Sequence, residues 1–400
     1  MEHAPDIDEL SPPDRTLLGP GPSNVHPRVY RAMVAPMVGY LDDYYVDVMD
    51  DVQRGLRYLF RTDNEYTFAV SGTGSAAMET AFANLVEPGE TVLVPSNGYF
   101  GDRMGQVAAR AGGDLVTVDA PWGEPLDPAD VEAAVEEHRP TVVGFVHGET
   151  STGVRQTDVS ELTRIAHERD AYVVADTVAS LGGAEFRVDD WNVDVAYSGA
   201  QKCLSAPPGA SPITFSDRAV RKVRARDAPV RSWYLDFDGV WEYWGDDPSY
   251  HHTGPVSTTY ALREALRLVA EEGVDAMWDR HRRVAGALVD GVEAMGLSLN
   301  VDDEHWLPTL NPVRVPDGVD PDAVIDRLMS EHGTEIVGGL GALEGDIFRV
   351  GCMGHSARPA TVTAFVSAFG SVLDDEGAAV DPDAGVAATR RALAASGQHG

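Results

Sequence analysis

Between residues 66 and 215 the chain alternates short apolar runs with amphipathic stretches, and this alternation constrains the fold more than any other feature. The runs are YTFAV (66–70), TVLVP (91–95), DLVTV (114–118), TVVGFV (141–146), AYVVAD (171–176), DVAYS (194–198) and SPITF (211–215). Helical patterns fill the gaps at about 75–86, 101–112, 127–138 and 157–169. The pattern predicts an α/β fold, a large domain whose mostly parallel sheet is flanked by helices, because parallel neighbours need crossovers that cover both faces. Ligands in such sheets lie at the carboxyl ends of the strands. After residue 256 come two long helical runs, then strands near 309–315, 335–337 and 347–351 and helices near 321–332 and 359–374. They predict a smaller C-terminal α+β domain. The expected division is an N-terminal arm (1–15), a large ligand-binding domain (16–270), a small domain (271–375) and an acidic, Ala-rich, peripheral tail (376–400).

Charge narrows the partners. Thirty-one basic residues against 64 acidic ones give a net charge of −33, which argues against nucleic acid or an anionic membrane surface. No run approaches the ~20 apolar residues of a membrane helix. The start, MEHAPDIDELSPPD, lacks the basic and apolar segments of a secretory signal, so the expected location is cytoplasmic. Acidic residues are spread along the chain, as in DPADVEAAVEEH (127–138) and VDDEH (301–305), the pattern of a halophilic surface whose self-repulsion salt screens. With only Cys203 and Cys352, no disulfide framework is expected, nor is a metal site.

Lysine is nearly absent: all basic residues but Lys202 and Lys222 are arginine. Arginine stays protonated and cannot do amine chemistry, so a retained lysine is a candidate for such chemistry. Lys222, in the basic stretch AVRKVRARD, reads as a solvated surface charge. Lys202 lies between an apolar strand and a Gly/Pro-rich turn in AYSGAQKCLSAPPGASPITF.

Other strand ends carry further candidates. SGTGSAAMET (71–80) opens a helix, and its Gly72 and Gly74 leave free N–H groups beside Thr73 and Ser75. That is either a phosphate cradle or a plain helix cap. Asp176 ends the apolar run AYVVAD; it needs a cation or strong donor unless it caps a turn. HGETSTG (147–153) gathers hydroxyls for a ligand or merely for a turn, and SNGYFG (96–101) brings Tyr99 and Phe100 to the same edge, for a flat ring or for the core. Arg349, within FRVGCMG (348–354), suits either a bidentate grip on a carboxylate or a buried structural ion pair.

Taken together, LLGPGPSNVHPRV (17–29), SGTGS, NGYFG, HGETSTGV, DTVASLGG, YSGAQKCLSAPPG, YHHTGPV (250–256), GGLG (338–341) and FRVGCMG resemble, in order and spacing, the class V, fold type I pyridoxal-phosphate aminotransferases. The nearest branch is the alanine–glyoxylate / serine–pyruvate group. The resemblance implies pyridoxal 5′-phosphate as cofactor, held by Lys202 as a Schiff base, with Lys202 later acting as the base. It implies Asp176 at the pyridine nitrogen; Thr73, Gly74, Ser75 and Gln201 at the phosphate; and Ser151 near the phenolic oxygen. Tyr250 and Thr253 would serve the phosphate of a neighbouring subunit in a homodimer with a shared active site. Arg349 would clamp the substrate carboxylate, and the loop around Gly21 would close over it. The ring-stacking position, commonly Trp in that branch, is Phe100 here, or Tyr99 with a slip of one residue. The small molecules implied are alanine or serine as donor and glyoxylate or pyruvate as acceptor.

Two alternatives stand beside this expectation. One is another reaction on the same cofactor: ureidoglycine or aminophosphonate transamination, or desulfurase- or kynureninase-type chemistry. The other is a non-catalytic acidic binding or dimerisation module, against which the retention of Lys202 argues.

Overall fold

In the computed structural model, which describes residues 7–396, all seven apolar runs form one sheet. Its order is Tyr66–Gly72, Gly209–Phe215, Val195–Tyr197, Tyr172–Asp176, Val142–Val146, Thr91–Ser96, Asp114–Asp119. Gly209–Phe215 runs antiparallel to both neighbours, and the remaining pairs are parallel. The five central strands are buried on both faces, which is why they read as continuous apolar runs. Asp114–Asp119 lies at the edge, largely uncovered. The parallel strands end together, so Asp176, His147, Asn97 and Ser198 share one side of the sheet.

A second core surrounds a three-stranded antiparallel sheet of Leu310–Arg314, Ile347–Gly351 and Val337–Gly338. Val313, Val324, Phe348, Phe365 and Phe369 fill it. Helix Val274–Ala294 joins the two cores: Met277 and Trp278 pack in the first, Val284, Leu288 and Val292 in the second. Thr16–Leu17 pairs in parallel with Thr334–Glu335, and Leu18 enters the second core, so the N-terminal segment is tied to the smaller sheet before it reaches the larger one.

Two expectations are corrected. The C-terminal tail is not peripheral. Pro382–Ser396 is a helix docked on Val274–Ala294 and Pro359–Asp375, with Thr389 fully buried. The approach is close enough that a Cβ on Gly291 would lie 2.1 Å from Thr389 Oγ1. Residues 1–6 of the expected arm and 397–400 of the tail lie outside the described residues. Lys222, in turn, is not a solvated charge: its side chain is 11% exposed and ion-paired to Glu90 at 2.6 Å.

The central strands are pinned by a buried carboxylate. Asp194 accepts from Val173 N (2.9 Å), His167 Nε2 (2.9 Å), Arg218 Nη1 (2.7 Å) and Ser216 Oγ (3.1 Å), just before the strand that ends at Tyr197. Asp194→Ala leaves Val173 N buried without a partner and takes the shared acceptor from three part-buried donors. We expect it to lower stability by about 3 kcal/mol in denaturant unfolding at neutral pH; a loss below about 1 kcal/mol would contradict this role.

Candidate active site

The strand ends, the turn at 199–208 and the start of helix Gly74–Leu85 enclose a cleft of about 210 Å³. Its walls include Thr73, Gly74, Ser75, Phe100, Asp176, Gln201 and Lys202, so the structure brings seven expected residues to one cavity. Val178, Met78 and Val146 line the apolar part.

Lys202 follows strand Val195–Tyr197 and donates to the carbonyl of Pro20. Burial pulls its amine down to about 8, against the fields of Cys203 and Asp176 and with that of Arg349. The loop carrying Gly21 lies directly on it: at φ +113°, a Cβ on Gly21 would sit 2.5 Å from Lys202 Cδ and Nζ. Asp176 is 3% exposed and ends strand Tyr172–Asp176. It accepts from Val178 N (2.8 Å) and Tyr197 Oη (2.9 Å). Burial nonetheless pushes its carboxyl up to about 6, opposed by those two bonds and by Lys202. A carboxyl so placed gains from any further cation or strong donor.

Thr73 is the N-cap of helix Gly74–Leu85, yet its hydroxyl makes no capping bond to the helix. With Ser75 beside it, the helix end offers hydroxyls and unpaired N–H groups to an anion. Gln201 Oε1 is buried without a hydrogen-bond partner. An unpartnered buried polar atom, an uncapped helix start and a half-satisfied carboxylate on one cavity fit a ligand carrying a phosphate at one end and a protonatable nitrogen at the other. Phe100 lines the cleft, whereas Tyr99 turns outward and receives a hydrogen bond from Arg103 Nη2 (2.8 Å). The slip to Tyr99 is thereby removed.

Arg349 sits in the central strand of the small sheet, 6% exposed. Nε donates to Gly338 O (2.7 Å) and Nη1 to Thr150 O (3.4 Å). It forms no salt bridge among the described residues, so the structural ion-pair alternative lacks its carboxylate. Burial lowers Arg349 to about 10, with Glu149 acting in the other direction.

One expected contact is corrected. Ser151 does not face the cleft; its hydroxyl donates to Glu149 Oε1 (2.7 Å) and accepts from Tyr99 N (3.0 Å), and Thr150 lines the wall instead. The segment turns tightly here, so successive residues face different ways and the outward one cannot be counted from the strand. Tyr250 is 57% exposed, bonded to Thr253 (3.2 Å), and neither lines the cleft of its own chain. Sequence reasoning missed Arg103 and Thr150 on the wall, and Tyr197 and Glu149 behind it. A hydroxyl-tipped aromatic closing an apolar strand was the available signal for Tyr197, and a carboxylate straight after one for Glu149.

Both thiols are buried and pushed up to about 12 by that burial, so neither Cys203 nor Cys352 is a ready nucleophile. Among the described residues no helix is long and apolar enough to cross a membrane, and no His/Cys/Asp/Glu cluster suits a metal ion.

A buried amine, a buried strand-end carboxylate and a phosphate-ready helix end on such a sheet define a pyridoxal-phosphate-dependent enzyme. The aminotransferase class-V family model matches residues 27–343. The chain is 40% identical over 368 residues to the alanine–glyoxylate aminotransferase of Oryctolagus cuniculus, covering 91% of this chain and 94% of the relative. Among solved structures, the alanine–glyoxylate aminotransferase of Nostoc sp. superposes with a TM-score of 0.90 at 48% identity, covering 92% of this chain and 97% of the other. The ureidoglycine–glyoxylate aminotransferase of Bacillus subtilis does so with a TM-score of 0.95 at 37% identity, covering 97% and 100%. The chain belongs to the class-V aminotransferases.

Because the neutral amine is the reactive form, reaction of cofactor-free protein at Lys202 with an amine-selective reagent should rise with pH through a midpoint near 8. Peptide mapping of the labelled lysine measures this. A midpoint at the ordinary lysine value of 10.5 would show that burial does not act on this amine.

Proposed function

We propose that this chain works as a homodimer that transfers an amino group from alanine or serine to glyoxylate or pyruvate, at a site centred on Lys202. The observation that carries this reading is Arg349: a nearly buried guanidinium without a carboxylate partner among the described residues, close enough to Lys202 for its field to reach that amine. Its fork suits the α-carboxylate that donor and acceptor share. Both relatives compared above that differ in donor name glyoxylate as the partner substrate, which supports it as acceptor.

Pyridoxal 5′-phosphate, when bound, supplies an aldehyde for imine exchange and a protonated ring that absorbs the charge left at Cα. Lys202 would hold it, and once released would carry the proton away from Cα, its lowered pKa leaving a large neutral fraction near pH 8. Asp176, kept in place by Tyr197 and Val178, would hold the ring nitrogen's proton. Thr73, Gly74, Ser75 and Gln201 would bind the phosphate, Phe100 would stack on the ring, and Thr150 rather than Ser151 would face it from the strand end. Arg349 would orient the substrate, with the Gly21 loop excluding water above it. In this scheme residues 16–270 bind the cofactor and residues 271–375 supply the carboxylate grip.

Tyr250 and Thr253 would reach the phosphate of the second subunit. In support of this, Tyr30, Val34, Met37, Tyr44, Trp233 and Tyr250 are large apolar side chains that are all exposed, and a second subunit would cover such surface. The desulfurase alternative loses support from the burial of both thiols. The pervasive acidic charge supports a salt-adapted enzyme, and a cytoplasmic location is part of the same proposal.

The test is a panel of amino donors against glyoxylate and pyruvate at low and high salt, on protein loaded with pyridoxal phosphate. Alanine or serine should lead, and activity should grow with salt. Lys202→Ala should lose turnover together with the borohydride-reducible yellow colour; retained turnover would refute the assignment. Arg349→Ala should raise KM for every carboxylate substrate by about tenfold or more, and an unchanged KM would make this arginine structural.

A further inference from the structure

Glu149 is the most deeply buried carboxylate beside the cleft, fully excluded from water, and the scheme above gives it no part. It makes four hydrogen bonds. Oε2 accepts from Phe100 N (3.0 Å) and Gly101 N (3.2 Å); Oε1 accepts from Ser151 N (2.9 Å) and Ser151 Oγ (2.7 Å). Ser151 Oγ in turn accepts from Tyr99 N. The first three N–H groups of helix Tyr99–Ala111 are thus satisfied from a segment some 50 residues away in sequence, whereas the helix's own N-cap, Gly98, has no side chain to offer. The approach is tight: a Cβ on Gly98 would lie 2.5 Å from Glu149 Cγ and Ser151 Oγ.

The turn that follows touches the other half of the site. Thr150 lines the cleft and accepts from Arg349 with its carbonyl. A carboxylate at a helix start is favoured by the helix dipole as well as by its donors. Here that helix start carries Phe100, the aromatic wall of the cleft.

Resting on the cofactor assignment above, we propose that Glu149 is a positioning residue that fixes Phe100, and with it the ring-stacking wall, through the first turn of helix Tyr99–Ala111. A glutamine is isosteric but cannot replace it. Four donors converge on the two carboxylate oxygens, so an amide nitrogen at either position would face N–H groups.

A double-mutant cycle on cofactor-free protein tests this, read as pyridoxal phosphate affinity by tryptophan quenching and as the visible circular dichroism of the bound cofactor. Melting temperatures without cofactor report folding. Phe100→Ala should weaken binding by about tenfold, in the range of a lost stacking contact. Glu149→Gln should weaken it comparably and diminish the dichroism. The double variant should fall within about threefold of Phe100→Ala, the signature of two residues acting through one contact. Multiplying losses, or wild-type affinity and dichroism in Glu149→Gln, would overturn the proposal. If Glu149→Gln does not fold, Ser151→Ala, which removes one bond to Glu149 and the acceptor for Tyr99 N, goes through the same cycle, and multiplying losses there overturn it equally. A wild-type protein that fails to bind pyridoxal phosphate reducibly would instead sink the cofactor assignment, so the two failures are distinct.

Discussion

Desolvation of Lys202 and Asp176 at the carboxyl edge of the sheet is the constraint on which the rest of the structure depends. An ammonium and a carboxylate taken out of water both lose solvation, and here the amine falls to about 8 while the carboxyl rises to about 6. Direct ion pairing would relieve both, but the two groups are held apart: Lys202 donates to Pro20 and Asp176 accepts from Tyr197 and Val178. Each is left short of partners on the side that faces the cleft. The parallel strands place these groups, and the apolar runs behind them supply the low-dielectric wall that makes the arrangement costly.

That cost is borne by a rigid frame. Asp176 and Tyr197 end adjacent strands, and Asp194, just before the second, ties them to helices on the flank through His167 and Arg218. The smaller sheet delivers Arg349 from the other side, while the N-terminal segment threads between, pairing with Thr334–Glu335 before Gly21 settles on Lys202. The site is therefore closed by pieces far apart in sequence, each positioned by backbone pairing rather than by a flexible side chain.

Much of this was legible in the sequence, for identifiable reasons. The five central strands of the main sheet announced themselves as apolar runs because both their faces are covered. Lys202 stood out because lysine is scarce. What failed was orientation within irregular backbone. Thr150 and Ser151 are neighbours in a turn, and no periodicity says which one faces the cleft. Lys222 looked like one more surface charge because its partner, Glu90, lies 132 residues away. The tail looked peripheral because its helix is rich in alanine, and its docking depends on Gly291 and Gly385 allowing close approach, which composition does not reveal. Sheet order belongs to the same class, since nothing local to a strand names its neighbour.

The acidic composition gives Arg349 its weight. Elsewhere arginines find carboxylates readily: Arg327 binds Glu331, Asp375 and Glu376, Arg28 binds Glu264 and Glu271, and Arg164 binds Glu161 and Glu168. In a chain with 64 acidic residues a buried arginine has every opportunity to acquire such a partner. Arg349 is instead held by two carbonyl oxygens, which orient its fork and leave its charge without a salt bridge among the described residues. Glu149, the nearest acid to influence it, is turned toward the start of helix Tyr99–Ala111. A cation kept nearly buried, oriented and uncompensated among the described residues is unfavourable, and under the proposed function an incoming carboxylate would relieve it. On that reading, selectivity for anionic substrates would follow from the carboxylate that the protein withholds as much as from the arginine it supplies.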